Sequence, residues 1–257
     1  MGARPDEEPL HGGNVSAAVV RVGDTVRRPA GCWSVSVDHL LRHLEAVGYE
    51  GAPRSLGFDE RGRHVLEYVE GDVPMPFAPR EPQAAARRVG ALIRDFHDAS
   101  AEYTPPADAR WTVVIEPDAR DLVVHHDLAP WNLVCGPRRW AFIDWDGAGP
   151  GSRLWDLAYA AHGFGGLTPA TPVTAAARRL AALAEGYGLD ERGRAGLVEL
   201  LVARIMSMYD LLREGHRTGA EPWARLWAHG HGATWLANAE YTSRHLDAFR
   251  DALVHAP

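Results

Sequence analysis

Residues 122–134 read Leu-Val-Val-His-His-Asp-Leu-Ala-Pro-Trp-Asn-Leu-Val. Two short apolar runs bracket a loop that holds His125, His126, Asp127 and Asn132, far more polar chemistry than a chain reversal needs. Twelve residues after Asn132, the apolar strand Ala141-Phe142-Ile143 ends on Asp144. A carboxylate and a carboxamide that meet across a short hairpin offer hard oxygen donors, which suit magnesium shared with substrate phosphates. That pattern makes Asn132 and Asp144 the candidate metal ligands. Asp127 lies in the same loop without being needed as a ligand, so it is free to accept a proton from a hydroxyl.

The chain changes texture on either side of a Pro-rich connector. On the N-terminal side, residues 1–13 carry Pro, acidic residues and Gly with no period and are expected to lack order. "AAVVRV" and "DTVRRP" read as two strands joined at Gly-Asp. Apolar residues at Val37, Leu40, Leu41, Leu44 and Val47 have helical spacing. "GAPRSLGF" and "RHVLEYVEG" then read as two more strands turning at "DERG". Past the connector, residues 82–99 form an amphipathic helix pattern, and from Ser152 onward the pattern is helical almost throughout. Strands first and helices second imply an α+β protein in two lobes, residues 14–72 and 73–257.

Composition bounds the partners. At 257 residues the chain can bury a large core. A formal charge of −7 argues against a general binder of nucleic acid or of membrane surfaces. No apolar run reaches the length of a membrane span, and the N-terminal segment has no apolar signal core, which points to a cytoplasmic protein. Two cysteines, Cys32 and Cys135, make neither a disulfide framework nor a thiolate zinc site. Every basic side chain is Arg; the chain contains no Lys.

Together, "HHDLAPWN", "FIDWDGAG" and "LWDLAYA" resemble the aminoglycoside phosphotransferase family, the small-molecule branch of the protein-kinase-like fold. The resemblance runs from about residue 12 to the C-terminus. It implies an N-terminal antiparallel lobe that binds nucleotide and a helical lobe that binds the acceptor. By it, Asp127 is the catalytic base, Asn132 and Asp144 hold Mg2+, His125 is structural, and Asp156 braces the loop from the next helix. Gly12 and Gly13 match the hairpin that covers the phosphates, and backbone at Glu67 and Val69 matches the hinge that meets adenine. The implied nucleotide is ATP or GTP. The implied acceptor is a hydroxyl of a small molecule: an antibiotic such as an aminoglycoside, a sugar, or an amino alcohol. A monomer or a homodimer would serve.

The chain departs from that pattern at one strand. Where the family carries a lysine that contacts phosphate, this chain has "TVRRP", with Arg27 the best match and Arg28 the second. Asp38 and Glu45 of the following helix are not where the family's partner glutamate is expected, so the usual ion pair is in doubt. A nucleotide-binding module without turnover therefore stands as an alternative; a peptide Ser/Thr kinase of a biosynthetic pathway, marked by a shallow, open acceptor cleft, is a separate one. Asp146 reads as a turn residue. His229 and His231 lie two apart on a helical segment, a spacing that points them to different faces and disfavours chelation. Trp223, Trp227, Trp235 and Tyr241 read as packing residues, and Asp210, Glu214 and Glu240 as acidic groups that could meet a cationic acceptor.

Overall fold

The computed structural model describes residues 7–10 and 19–254. The N-terminal part is a five-stranded antiparallel sheet: β1 (Glu8–Pro9), β2 (Val20–Val22), β3 (Thr25–Arg28), β4 (Ser55–Phe58) and β5 (His64–Glu67), in the order β1-β2-β3-β5-β4. Between β3 and β4 the chain makes helix α1 (Ser34–Ala46). The pairing of Glu8 with Arg21 and Pro9 with Val20 corrects the expectation of no order at these two residues, because backbone pairing needs no sequence period. Gly23 takes the left-handed conformation at the β2–β3 turn, where its missing Cβ removes the steric penalty. At the β4–β5 turn, Asp59 accepts the N–H groups of Arg61 and Arg63. Helix α1 buries Val37, Leu40, Leu41 and Leu44 on one face, each worth about 1.5–3 kcal/mol.

The rest is mainly helical: α2 (Pro82–Ala101), α3 (Arg153–Gly165), α4 (Val173–Tyr187), α5 (Glu191–Thr218), α6 (Trp223–Ala228), α7 (His231–Arg244) and α8 (Leu246–Val254). Two small hairpin-like pairs sit between α2 and α3: β6 (Leu122–Val124) with β9 (Gly149–Gly151), and β7 (Leu133–Cys135) with β8 (Trp140–Phe142). Helices α2 and α4 touch backbone to backbone, since a Cβ at Gly90 would collide with the Leu183 carbonyl. The core is continuous from α1 through α2 and β6–β8 into α3, α4 and α5. None of the helices among the described residues is long and apolar enough to cross a membrane.

The two parts are tied at the β7–β8 hairpin. Phe142 N–H donates to the Gly51 carbonyl at 2.9 Å. Arg139 donates to the carbonyls of Glu50 and Ala52 and to the Glu67 carboxylate. Cys135 N–H donates to the Asp72 carbonyl at 2.8 Å. The hairpin that leads to Asp144 is thus anchored to the sheet.

Candidate active site

The loop after β6 is held from below by one buried carboxylate. Asp156, in the first turn of α3, has no solvent exposure. Its Oδ2 accepts the N–H of His125 at 3.1 Å, and its Oδ1 accepts the N–H of His126 at 2.8 Å. Its Oδ2 also accepts from His97 Nε2 at 3.2 Å, while His97 Nδ1 accepts the Tyr187 hydroxyl at 2.8 Å. Burial works to raise the Asp156 carboxyl, but the His97 hydrogen bond leads the interactions that hold it below the ordinary range. Burial depresses His97, so the pair is a carboxylate with a neutral imidazole. His126 sits in the left-handed region at φ 67°, a strained conformation for a side chain with a Cβ, kept by these contacts.

Above that brace lie the candidate reacting groups. Asp127 is half-buried, and its Oδ2 accepts from Asn132 Nδ2 at 2.7 Å. Asn132 Nδ2 also donates to the Asp127 carbonyl, leaving Oδ1 as its unshared donor atom for a cation. Burial raises the Asp127 carboxyl, and the negative Asp144 adds to the shift against the opposing hydrogen bonds from Tyr159 and Asn132. His125 is fully buried; its Nδ1 accepts the Asp127 N–H, so its Nε2 carries the proton donated to the Ile143 carbonyl. Ile143 N–H donates to the Asn132 carbonyl at 2.8 Å. Both backbone groups of Ile143 are therefore bonded to the loop, which fixes the next residue, Asp144, beside it. Asp144 is itself left-handed at φ 62°. The only two non-glycine positive-φ residues among those described flank this site.

The arginine strand meets the site one residue later than its sequence match suggested. Successive strand side chains point to opposite faces. Arg27 faces Thr25, at 2.5 Å, and Asp59, at 3.7 Å. Arg28 is buried, and one of its terminal nitrogens donates to Asp144 Oδ1 at 2.8 Å and to Asp146 Oδ2 at 2.7 Å. Asp146, read from the sequence as a turn residue, is thus part of the cluster. Burial raises its carboxyl, with Arg28 pulling the other way. No carboxylate of α1 joins Arg28: Asp38 accepts from Ser55 at 2.5 Å and from Arg42 at 3.0 Å. The donor set of Asp144, Asp146 and the Asn132 amide oxygen consists of hard oxygens, which fits Mg2+, and a dication there would share the two carboxylates with Arg28.

Gly12 and Gly13 lie outside the described residues. Glu67 N–H donates to the Arg54 carbonyl, and the Glu67 carboxylate accepts from Arg54 and Arg139. Val69 is buried against Val134, Ala141 and Ile143, at the junction with the β7–β8 hairpin.

Several residues of the site escaped the sequence reading. Arg204 of α5 is 2% exposed and donates to the His126 carbonyl at 3.0 Å. Its guanidinium lies over the Tyr159 ring at 4.2 Å, and Tyr159 hydrogen-bonds Asp127. The left-handed peptide at His126 is thus clamped between an anion on its N–H and a cation on its carbonyl. Arg204 stands among Leu197, Val198, Leu201 and Ile205 on the apolar face of α5, and an arginine in such a stripe was the available signal. Trp131 is exposed, with its indole N–H 3.5 Å from Asp127 Oδ2 and its ring against Tyr159. Trp235 and Tyr241 are buried, while Trp223 and Trp227 are partly buried at the edge of the core. Asp210 and Glu214 pair with Arg213 and Arg217 on their own helix; Glu240 is exposed.

Residues 109–197 match the model of the phosphotransferase enzyme family. The trifolitoxin immunity protein of Rhizobium leguminosarum bv. trifolii is 32% identical over 267 residues, covering 92% of this chain and 97% of that protein. Among solved structures, the amicoumacin kinase hAmiN, in complex with AMP-PNP, Ca2+ and Ami, superposes with a TM-score of 0.62 at 14% identity, covering 89% of this chain and 87% of that one. A microcompartment-associated aminopropanol kinase gives 0.62 at 15% identity over 93% and 90%. A choline/ethanolamine kinase family protein from Mesorhizobium loti gives 0.57 at 19% identity over 96% and 92%.

Proposed function

Because the chain belongs to the phosphotransferase enzyme family, we propose that it moves the γ-phosphoryl group of ATP to a hydroxyl of a small molecule with Mg2+ present. What supports this reading is one braced loop in which Asn132 Nδ2 holds the Asp127 carboxylate and the Ile143 peptide, bonded to Asn132 and His125, leads into Asp144. Phosphoryl transfer asks the protein mainly for positioning and for charge stabilisation. Mg2+, when bound through Asp144, Asn132 and Asp146, would offset charge on the transferring group.

The acceptor hydroxyl gives its proton to an Asp127 carboxylate oxygen as its own oxygen bonds to phosphorus; the bond to the departing diphosphate breaks. Burial makes Asp127 a stronger proton acceptor than a solvated aspartate. The Asn132 amide orients that carboxylate, and Asp156 with Arg204 holds the peptide before it. Arg28, rather than Arg27, stands where a cation could meet nucleotide phosphate.

The name of the Rhizobium relative, an immunity protein for a toxin, favours a toxic compound as the acceptor and a protective role. The pairing of Asp210 and Glu214 with neighbouring arginines gives a polycationic aminoglycoside no special support. The reading puts the protein in the cytoplasm, where ATP is supplied. The test is ADP release with Mg-ATP across a panel of antibiotics, sugars and amino alcohols. Acceptor-dependent ADP release supports the proposal. Nucleotide-dependent thermal stabilisation with no ADP release for any acceptor would favour a binding module, the rival that the arginine strand keeps open.

A further inference from the structure

The contact between Arg28 and two carboxylates has a consequence for how ligands load. The strand cation and the candidate metal ligands are already joined: one Arg28 nitrogen lies 2.8 Å from Asp144 Oδ1 and 2.7 Å from Asp146 Oδ2, with the Arg28 side chain 8% exposed. Asp38, the acidic residue of α1 that comes nearest to the role of an anchoring partner, is committed to Ser55 and Arg42. Among the described residues, Asp144 and Asp146 hold one terminal nitrogen of the guanidinium, which remains charged at any accessible pH.

Resting on the nucleotide and metal reading above, we propose that Arg28 is an internal counter-ion that makes nucleotide and divalent metal load as a coupled pair. With neither ligand bound, the guanidinium occupies one oxygen of each of Asp144 and Asp146 and offsets part of their negative charge. A divalent ion arriving alone meets carboxylates whose charge is already partly offset and whose bonded oxygens are occupied, and a guanidinium beside it would repel it. Nucleotide phosphate, a planar-fork partner for arginine, draws Arg28 away and returns both carboxylates to the metal. The metal in turn frees Arg28 for phosphate. Each ligand therefore tightens the other by the same factor. No bond is made or broken; the guanidinium changes partners.

This exchange predicts effects of opposite sign from a single substitution. Arg28→Gln should strengthen Mn2+ binding in the absence of nucleotide, read by electron paramagnetic resonance, by about tenfold, within the roughly 5–150-fold span of coupled sites. The same variant should weaken AMP-PNP in EDTA while leaving adenosine affinity unchanged, read by calorimetry. Arg28→Gln/Asp144→Asn should lose the gain in Mn2+ affinity, which locates it at this cluster.

Mn2+ affinity unchanged or weakened in Arg28→Gln would overturn the inference. Should that variant not fold, a crystal structure of the wild-type protein with Mn2+ and AMP-PNP decides. Arg28 on a phosphate oxygen and off at least one carboxylate supports the exchange; Arg28 still on both carboxylates beside bound metal overturns it. Wild-type protein that binds neither Mn2+ nor AMP-PNP would instead defeat the metal and nucleotide reading on which the exchange rests.

Discussion

Asp156→Asn isolates the brace beneath the reactive loop at nearly constant side-chain volume. In the native protein each carboxylate oxygen accepts a different backbone N–H, from His125 and from His126, and Oδ2 also takes His97. An asparagine has one oxygen and one NH2 group, so either orientation sets a donor against a backbone donor. Leaving one buried N–H without an acceptor costs about 1–3 kcal/mol. Loss of charge weakens the surviving hydrogen bonds by about 1 kcal/mol more. Release of the carboxylate's burial cost offsets part of this, leaving about 2–3 kcal/mol. For a chain of this size that lowers Tm by roughly 4–12 °C. The folded Asp156 carboxyl lies below its unfolded value, so its contribution is complete above the ordinary carboxylate pKa and is lost as pH falls through the folded one. The Tm gap between wild type and variant should therefore be flat from pH 5 to 8 and close only below about pH 4. Turnover should fall by about 10²-fold as the His126–Asp127 peptide relaxes. Thermal melts across pH and initial rates with a verified acceptor give the reading. A variant with wild-type Tm and wild-type rate would refute the brace.

Buried His64 and His162 are each depressed by desolvation to about 4 from 6.5, so each is neutral in the fold and protonates first in the unfolded chain. Their contribution is full above pH 6.5 and is lost as pH falls towards 4, by about 3 kcal/mol each; His64→Gln with His162→Gln should flatten that limb of a denaturant-melt series. Arg204→Met removes the donor to the His126 carbonyl and uncovers a buried anionic neighbourhood. It should cost about 3–5 kcal/mol of stability in urea melts and lower kcat while nucleotide affinity holds; unchanged kcat in folded variant protein would dismiss it as a positioning residue. Asp144→Ala should weaken Mg-ATP binding more than Asn132→Ala, because an anion contributes more to a hard dication than an amide does. Equal, wild-type affinities in calorimetry would remove both from the metal site.

The fold was legible where side chains repeat with a period and where turns need special residues. The α1 stripe of Val37, Leu40, Leu41 and Leu44, the Gly23 turn and the Asp59 turn each follow from local rules. Asp156 could be placed beneath the loop because the family motif carries it there. Strand β1 could not be foreseen from two residues, Glu8 and Pro9, whose order comes from pairing with β2. The facing of Arg27 and Arg28 depended on register, and a shift of one residue exchanges the two faces. Arg204 and His97 reach the loop from helices far away in sequence, and only their presence on apolar helical faces hinted that they were buried for a purpose.

The central claim is that Asp127 accepts the acceptor's proton while the protein passes it a phosphoryl group. It is tested most directly by transfer of a radiolabelled γ-phosphate from ATP to the acceptor, comparing wild-type protein with Asp127→Ala. The account predicts labelled acceptor from the wild type, a fall of about 10²–10⁴-fold in the variant, and nucleotide affinity little changed between them. Equal labelling by the two proteins would contradict it.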